Sequence, residues 1–190
     1  MMRSRKDAGA GRGVAVSDDD NASLEIVETV PTETSLGTNG LRATHDAWVA
    51  LITGARERID IAQFYTANQP QSRLNTVIEA LRGAAARGIK IRFVVDGKFS
   101  DKYPETLGEL TAIPGLRLRV FYVEPVMGGV LHAKYFVVDG KAAFLGSQNF
   151  DWRSLEHIHE LGVLVREVST VRAIQAVFDT DWHLAAGAKE

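Results

Sequence analysis

The chain has 190 residues, of which 45 % are hydrophobic and 24 % charged, and it has no cysteine. That length and composition suit one soluble domain with a sizeable core, and exclude disulfides and thiolate metal sites. Net charge is −2, with 18 Lys/Arg against 17 Asp/Glu from residue 41 onward. No basic body announces nucleic acid and no polybasic run announces anionic lipid, so phosphate recognition must be local.

Residues 1–22 are rich in Gly, Ala and charge and read as a disordered tail. The basic start "MMRSRKDAGAGRG" has no apolar segment after it, so a signal peptide is not expected. Its "GAGRG" lacks the strand and helix of a phosphate loop. Asp18, Asp19 and Asp20 read as a solvated charge run rather than a metal cluster. No apolar run approaches the ~18 residues of a membrane span, and the cytoplasm is the default expectation.

"SLEIVETV" (23–30) reads as a strand ended by Pro31, and residues 42–58 as an amphipathic helix through Ala47, Trp48, Leu51 and Ile52. "IDIAQFY" (59–65) is a strand, 73–88 a helix closed by Gly88, and "IKIRFVVD" (89–96) a strand. A helix over Tyr103–Ala112 and a strand "LRLRVFYV" (116–123) follow. Then come a hairpin, a loop at 147–156, a strand "IHELGVLV" (158–165) and a last helix from Thr170 to about Leu184. Alternation of this kind predicts an α/β fold, a mixed sheet flanked by helices on both faces. A single domain is expected over 23–186, with 187–190 a second tail.

The hairpin "LHAKYFVVDGKAAFLGSQN" (131–149) contains the anomaly. His132 and Lys134 interrupt an apolar strand, and alternation puts them on one face. Asp139-Gly140 is a two-residue turn signal. It predicts that Val138 pairs with Lys141, which sets His132 opposite Ser147 and brings Asn149 near. An imidazole, a cation and two neutral hydrogen-bonding groups would then converge. Lys134 can neutralise a phosphate oxygen, Ser147 and Asn149 can donate to charge developing in the transition state, and a neutral His132 can attack phosphorus. The attacking nitrogen stays free only if the other ring nitrogen holds the proton, and Glu160 is the candidate acceptor. No cofactor or metal is called for. Taken singly, each residue has an ordinary reading: a structural histidine, a snorkelling lysine, a turn aspartate, a bend at Gly146.

Jointly they spell H-x-K-x4-D-x6-G-S-x-N, which a chain of this length matches by chance with probability on the order of 10⁻⁶. This motif resembles that of the phospholipase D superfamily. The run from Gly128 to Val165 is similar to the branch containing animal lysosomal 5′-exonucleases and poxvirus phospholipase D-like proteins, and "IDIAQFY" and "RGIKIRFVVD" fit it too. The resemblance implies one motif-bearing half of a phospholipase D-like fold. It implies that His132 is the nucleophile or the general acid, that Lys134 and Asn149 bind phosphate with Ser147 assisting, and that Glu160 orients the histidine. Asp139 is implied as a motif residue of structural role. "DWRS" (151–154) continues the pattern without an assigned chemistry.

A family site needs two such motifs, one histidine attacking and one protonating, and this chain has one. His45, His157, His159 and His183 do not repeat it. A zinc site of His132, His157 and His159 is a minor alternative. The expected completion is a homodimer that brings two copies of His132 together. The alternative is a second motif on another chain or in a missing C-terminal half. Three functions stay open: a metal-independent phosphodiesterase on nucleic acid, a phospholipase D or phosphatidyltransferase on phospholipid, and a non-catalytic half. Phe64, Tyr65 and Trp152 are read as core or rim residues, with base stacking as the alternative. Apolar residues 123–130 are read as a lipid-facing lip or a buried loop.

Overall fold

The computed structural model describes residues 22–37 and 40–187. Residues 1–21, with the glycine and aspartate runs, and residues 188–190 lie outside the described part. The chain opens with β1 (Leu24–Thr29) and a two-residue β2 (Arg42–Ala43), followed by α1 (Thr44–Gly54), β3 (Arg58–Gln63) and β4 (Thr66–Ala67). Next is α2 (Arg73–Ala86), started by the Ser72 side chain, which accepts from the Asn75 N–H. It ends at Gly88 in the left-handed region. Then come β5 (Lys90–Asp96), α3 (Gly97–Ser100), α4 (Pro104–Thr111), β6 (Leu116–Phe121) and α5 (Glu124–Met127). The motif lies on β7 (Lys134–Val138) and β8 (Ala142–Gly146). The chain closes with β9 (Phe150–Asp151), α6 (Trp152–Glu156), β10 (Glu160–Val165) and α7 (Val168–Leu184).

Eight strands form one sheet in the order β2-β1-β10-β8-β7-β3-β5-β6, and β4 pairs with β9 in a second, two-stranded sheet. The large sheet is mixed: β3, β5 and β6 run parallel, while β7, β8, β10 and β1 pair antiparallel. Alternation along β3 explains the layering. Ile59 and Ile61 face α1 and α2, where Trp48, Ile52, Leu74, Ile78 and Leu81 are buried with Phe93, Phe136 and Phe144. Ala62 faces the other way and meets Phe178 and Trp182 of α7. On that same face, buried Asp60 is held by Arg92 (2.6 Å) and by the Gln175 amide (2.8 Å). This compensation lets a carboxylate sit under a helix.

The mixed sheet and its two helical layers agree with the expectation from alternation. The loop expected at 147–156 is corrected. It contains β9 and α6, and Asp151 caps the helix by accepting from the Arg153 N–H at 2.8 Å. The predicted hairpin register is also corrected. Val138 pairs with Ala142, not Lys141. Asp139 (φ 57°) and Gly140 (φ 64°) still make the tight turn, and the Lys141 N–H donates to the Val138 carbonyl. Lys141 is an extra residue on the returning strand, which shifts every later pair by one.

Candidate active site

The sheet brings the start of β7, the end of β8 and the start of β10 to one end of the molecule. Pairs Gln63↔Lys134 and Gly162↔Gly146 fix that alignment. Extended by one pair, the β7–β8 ladder sets Lys134 against Gly146, so His132 and Ser147 both lie beyond the paired ends of their strands. They are loop residues held by other means. The segment before β7 is tied down by buried Asp96, whose carboxylate accepts from the Leu131 N–H at 2.7 Å and caps α3. Ser147 is held through its N–H, which donates to the Leu161 carbonyl at 3.0 Å. Asn149 is carried by the next turn, where the Phe150 N–H donates to the Gln63 side chain at 3.1 Å.

His132 is exposed, and its ring meets Phe64 edge-on at 4.5 Å between centroids. The Lys134 ammonium lies 3.1 Å from Nε2 and 3.3 Å from Nδ1 of His132. Burial lowers the Lys134 pKa, against the opposing pull of the Glu160 charge. Burial raises the Glu160 carboxyl, while the hydroxyls of Ser154 and Ser147 and the charge of Lys134 act the other way. His132, Lys134, Ser147 and Glu160 therefore share one end of the sheet. Asn149 stands beside them with a buried side-chain oxygen that has no hydrogen-bond partner among the described residues. An orphaned polar atom of this kind is costly unless something else reaches it.

Two expectations change. The sequence points to Glu160 as the group that orients His132, but Glu160 interacts with Lys134, Ser147 and Ser154, and the structure places the lysine ammonium, not the carboxylate, on the imidazole nitrogens. Asp139, a candidate catalytic residue, sits at the opposite end of β7. Its carboxylate accepts from the N–H groups of Arg56, Glu57 and Arg58 at 2.8, 2.8 and 2.9 Å, so it fixes the hairpin tip to the start of β3. Among the described residues, no group of three or more His, Asp or Glu is placed to hold a metal ion. His157 contacts Thr32 and Trp152, and His159 lies 3.6 Å from Glu28.

Sequence reasoning missed Asp96 and Asp151. Asp151 is buried, caps α6, accepts from the Tyr65 hydroxyl at 2.9 Å and pairs with Arg153 at 2.5 Å. Each is an aspartate just before a helix, a cap signal that was readable. What each holds from afar was not.

A family model described as "Cardiolipin synthase, PLD-like domain" matches residues 48–182. The chain belongs to the phospholipase D-like family. Phospholipase D Z of Dictyostelium discoideum is 36 % identical over 174 residues, covering 86 % of this chain and 40 % of that protein. The 5′-3′ exonuclease PLD3 of Rattus norvegicus is 32 % identical over 179 residues, covering 87 % and 36 %. This phospholipase D-like chain thus spans about two fifths of the length of these curated relatives. Among solved structures, NucT from Helicobacter pylori superposes with a TM-score of 0.66 at 18 % identity, over 84 % of this chain and 96 % of that one. Nuc from Salmonella typhimurium gives 0.66 at 18 %, over 85 % and 94 %. At that identity the likeness speaks to the phospholipase D-like fold alone.

Proposed function

We propose that the chain is a phosphodiesterase half-site that becomes complete when a second copy supplies a second His132. The observation that carries this is the imidazole of His132 with the Lys134 ammonium at 3.1 Å, and Glu160 within electrostatic reach of Lys134 and Ser147. In this reading His132 attacks phosphorus, and a P–N bond forms as the P–O bond to the leaving group breaks. The second copy's His132 gives that oxygen its proton. Water then attacks the phosphohistidine, losing a proton to the same second imidazole, and His132 is released. Lys134 and Asn149 hold the non-bridging oxygens, so the scheme calls for no metal.

Nucleic acid is the favoured substrate, supported by relatives named as 5′-3′ exonucleases. A phospholipid reading has its own support. Tyr122 and Val126 are 57 % and 55 % exposed on the segment before the motif, although Val123 beside them is buried. Relatives named phospholipase D also match.

The test is turnover of single-stranded DNA, RNA, phospholipid vesicles and a chromogenic phosphodiester with a chelator present, by wild type and His132→Asn. DNA cleavage is expected to survive the chelator and to fall on the order of 10³-fold in the variant. Activity lost to the chelator would remove the metal-free scheme. Activity retained in His132→Asn would remove the nucleophile, and lipid turnover alone would replace the substrate.

A further inference from the structure

A recess of about 420 Å³ opens where β3 and β5 begin and Gly115 leads into β6. It lies at the opposite end of these strands from His132. The seven residues of β5 put roughly 20 Å between the two. Register sets its walls. Arg58 pairs with Lys90, and Asp60 pairs with Arg92, which pairs in turn with Arg117, so all five side chains share the α7 face of the sheet. Four cations and one carboxylate, Asp60, therefore line the recess.

Asp60 is already satisfied. It takes Arg92 at 2.6 Å and the Gln175 amide at 2.8 Å, with Arg58 at 3.3 Å. Arg92 also meets Asp179 at 2.8 Å. Lys90 and Arg117 are exposed and pair with no carboxylate among the described residues. Rings of α7 steady the guanidinium groups. Arg92 lies 4.8 Å from the Phe178 centroid, and Arg117 and Arg119 lie 5.8 and 4.0 Å from that of Trp182. Burial, and then the charges of Arg117 and Arg92, lower the Arg119 pKa, so positive charge is crowded on this face. As the edge strand of the sheet, β6 needs some charge against self-pairing. Four cations turned toward one hollow exceed that need.

We propose that this recess binds a small, multiply charged phosphate compound, with pyrophosphate as its simplest form, separately from the phosphodiester site. Guanidinium forks match pairs of phosphate oxygens, and Lys90 adds a point charge on a flexible stem. The volume suits a small ligand. A singly charged carboxylate would leave most of the lining charge uncompensated, whereas linked phosphates would meet several cations at once. The chain as a whole has a net charge of −2, so the positive hollow is a local product of the fold. The inference does not depend on the phosphodiesterase reading.

The test is calorimetric titration of the full chain with pyrophosphate, with citrate as a multiply charged carboxylate for comparison. Lys134→Gln removes the cation of the phosphodiester site and is expected to leave a pyrophosphate-binding event of unchanged affinity. Lys90→Gln and Arg117→Gln are each expected to weaken that event about tenfold. Both side chains are exposed, so both variants should fold. Pyrophosphate should also raise the unfolding midpoint of the wild type and do so far less in the double variant. No binding by the wild type, or affinity unchanged in both Lys90→Gln and Arg117→Gln, would overturn the site. Binding abolished by Lys134→Gln would place the anion at the phosphodiester site and overturn the proposal too. Citrate bound as tightly as pyrophosphate would overturn the phosphate class.

Discussion

Asp139 carries a motif letter far from the chemistry. Its backbone is left-handed at φ 57°, which Asp tolerates better than most residues, and its two carboxylate oxygens take three backbone N–H groups. Burial alone would raise the carboxyl. The N–H donors of Arg58, Arg56 and Glu57 and the charge of Lys141 together hold it below the usual carboxylate range. A depressed native pKa adds stability above the unfolded pKa, and that stability is lost as pH falls through the native value. Asp139→Asn tolerates the same backbone and removes the charge. It should cost about 1 kcal/mol above roughly pH 5 and progressively less toward stronger acid. Denaturant midpoints at several pH values decide this, and a cost independent of pH would show that the charge is not what matters.

At the scale of elements, β8 and β10 cross at a pair of glycines. Gly146 and Gly162 are register partners, and the Phe144 ring lies over both. A Cβ on Gly146 would come within 2.6 Å of the ring's Cζ, and one on Gly162 within 2.7 Å. Gly162→Ala should therefore cost about 1–3 kcal/mol of overpacking, read as a lowered unfolding midpoint. A neutral result would mean that Phe144 has room to move. The motif glycine is thus a packing residue that lets β8 deliver Ser147 and Asn149 beside Lys134. Here the limits of the sequence show. Periodicity located both strands and the turn, because those are local properties. The one-residue shift at Lys141 was not legible, because it arises where Asp139 grips Arg56, Glu57 and Arg58. The short β9 and α6 were missed for a similar reason: their anchors, Tyr65 and Gln63, lie more than eighty residues away. His132 and Lys134 were legible as a pair because only one residue separates them in the sequence.

For the molecule as a whole, the site occupies one end of a sheet whose α7 side is only partly covered. The helix crosses β3, β6, β7 and β8. Beyond it, Leu24 and Ile26 of β1 and Leu161 of β10 are 55 %, 45 % and 56 % exposed on that same side. If a second copy completes the chemistry, sedimentation should report twice the chain mass, and turnover per chain should fall on dilution through the dissociation range. Full specific activity in a strict monomer would refute the composite site. A monomer without activity would favour a second motif from elsewhere.

The pairing of β1 with β10 also sets a timetable for synthesis. Strand β1 is synthesised well before its long partner, Glu160 to Val165, and until that arrives β2 offers it just two residues. Its apolar side and unpaired edge stay open while the intervening elements are made, which is when such strands aggregate. A chain interrupted before β10 would end not as a smaller domain but as an unfinished sheet with a waiting edge. Folding of this sheet should therefore depend more on completing β10 than on how well any earlier segment folds alone.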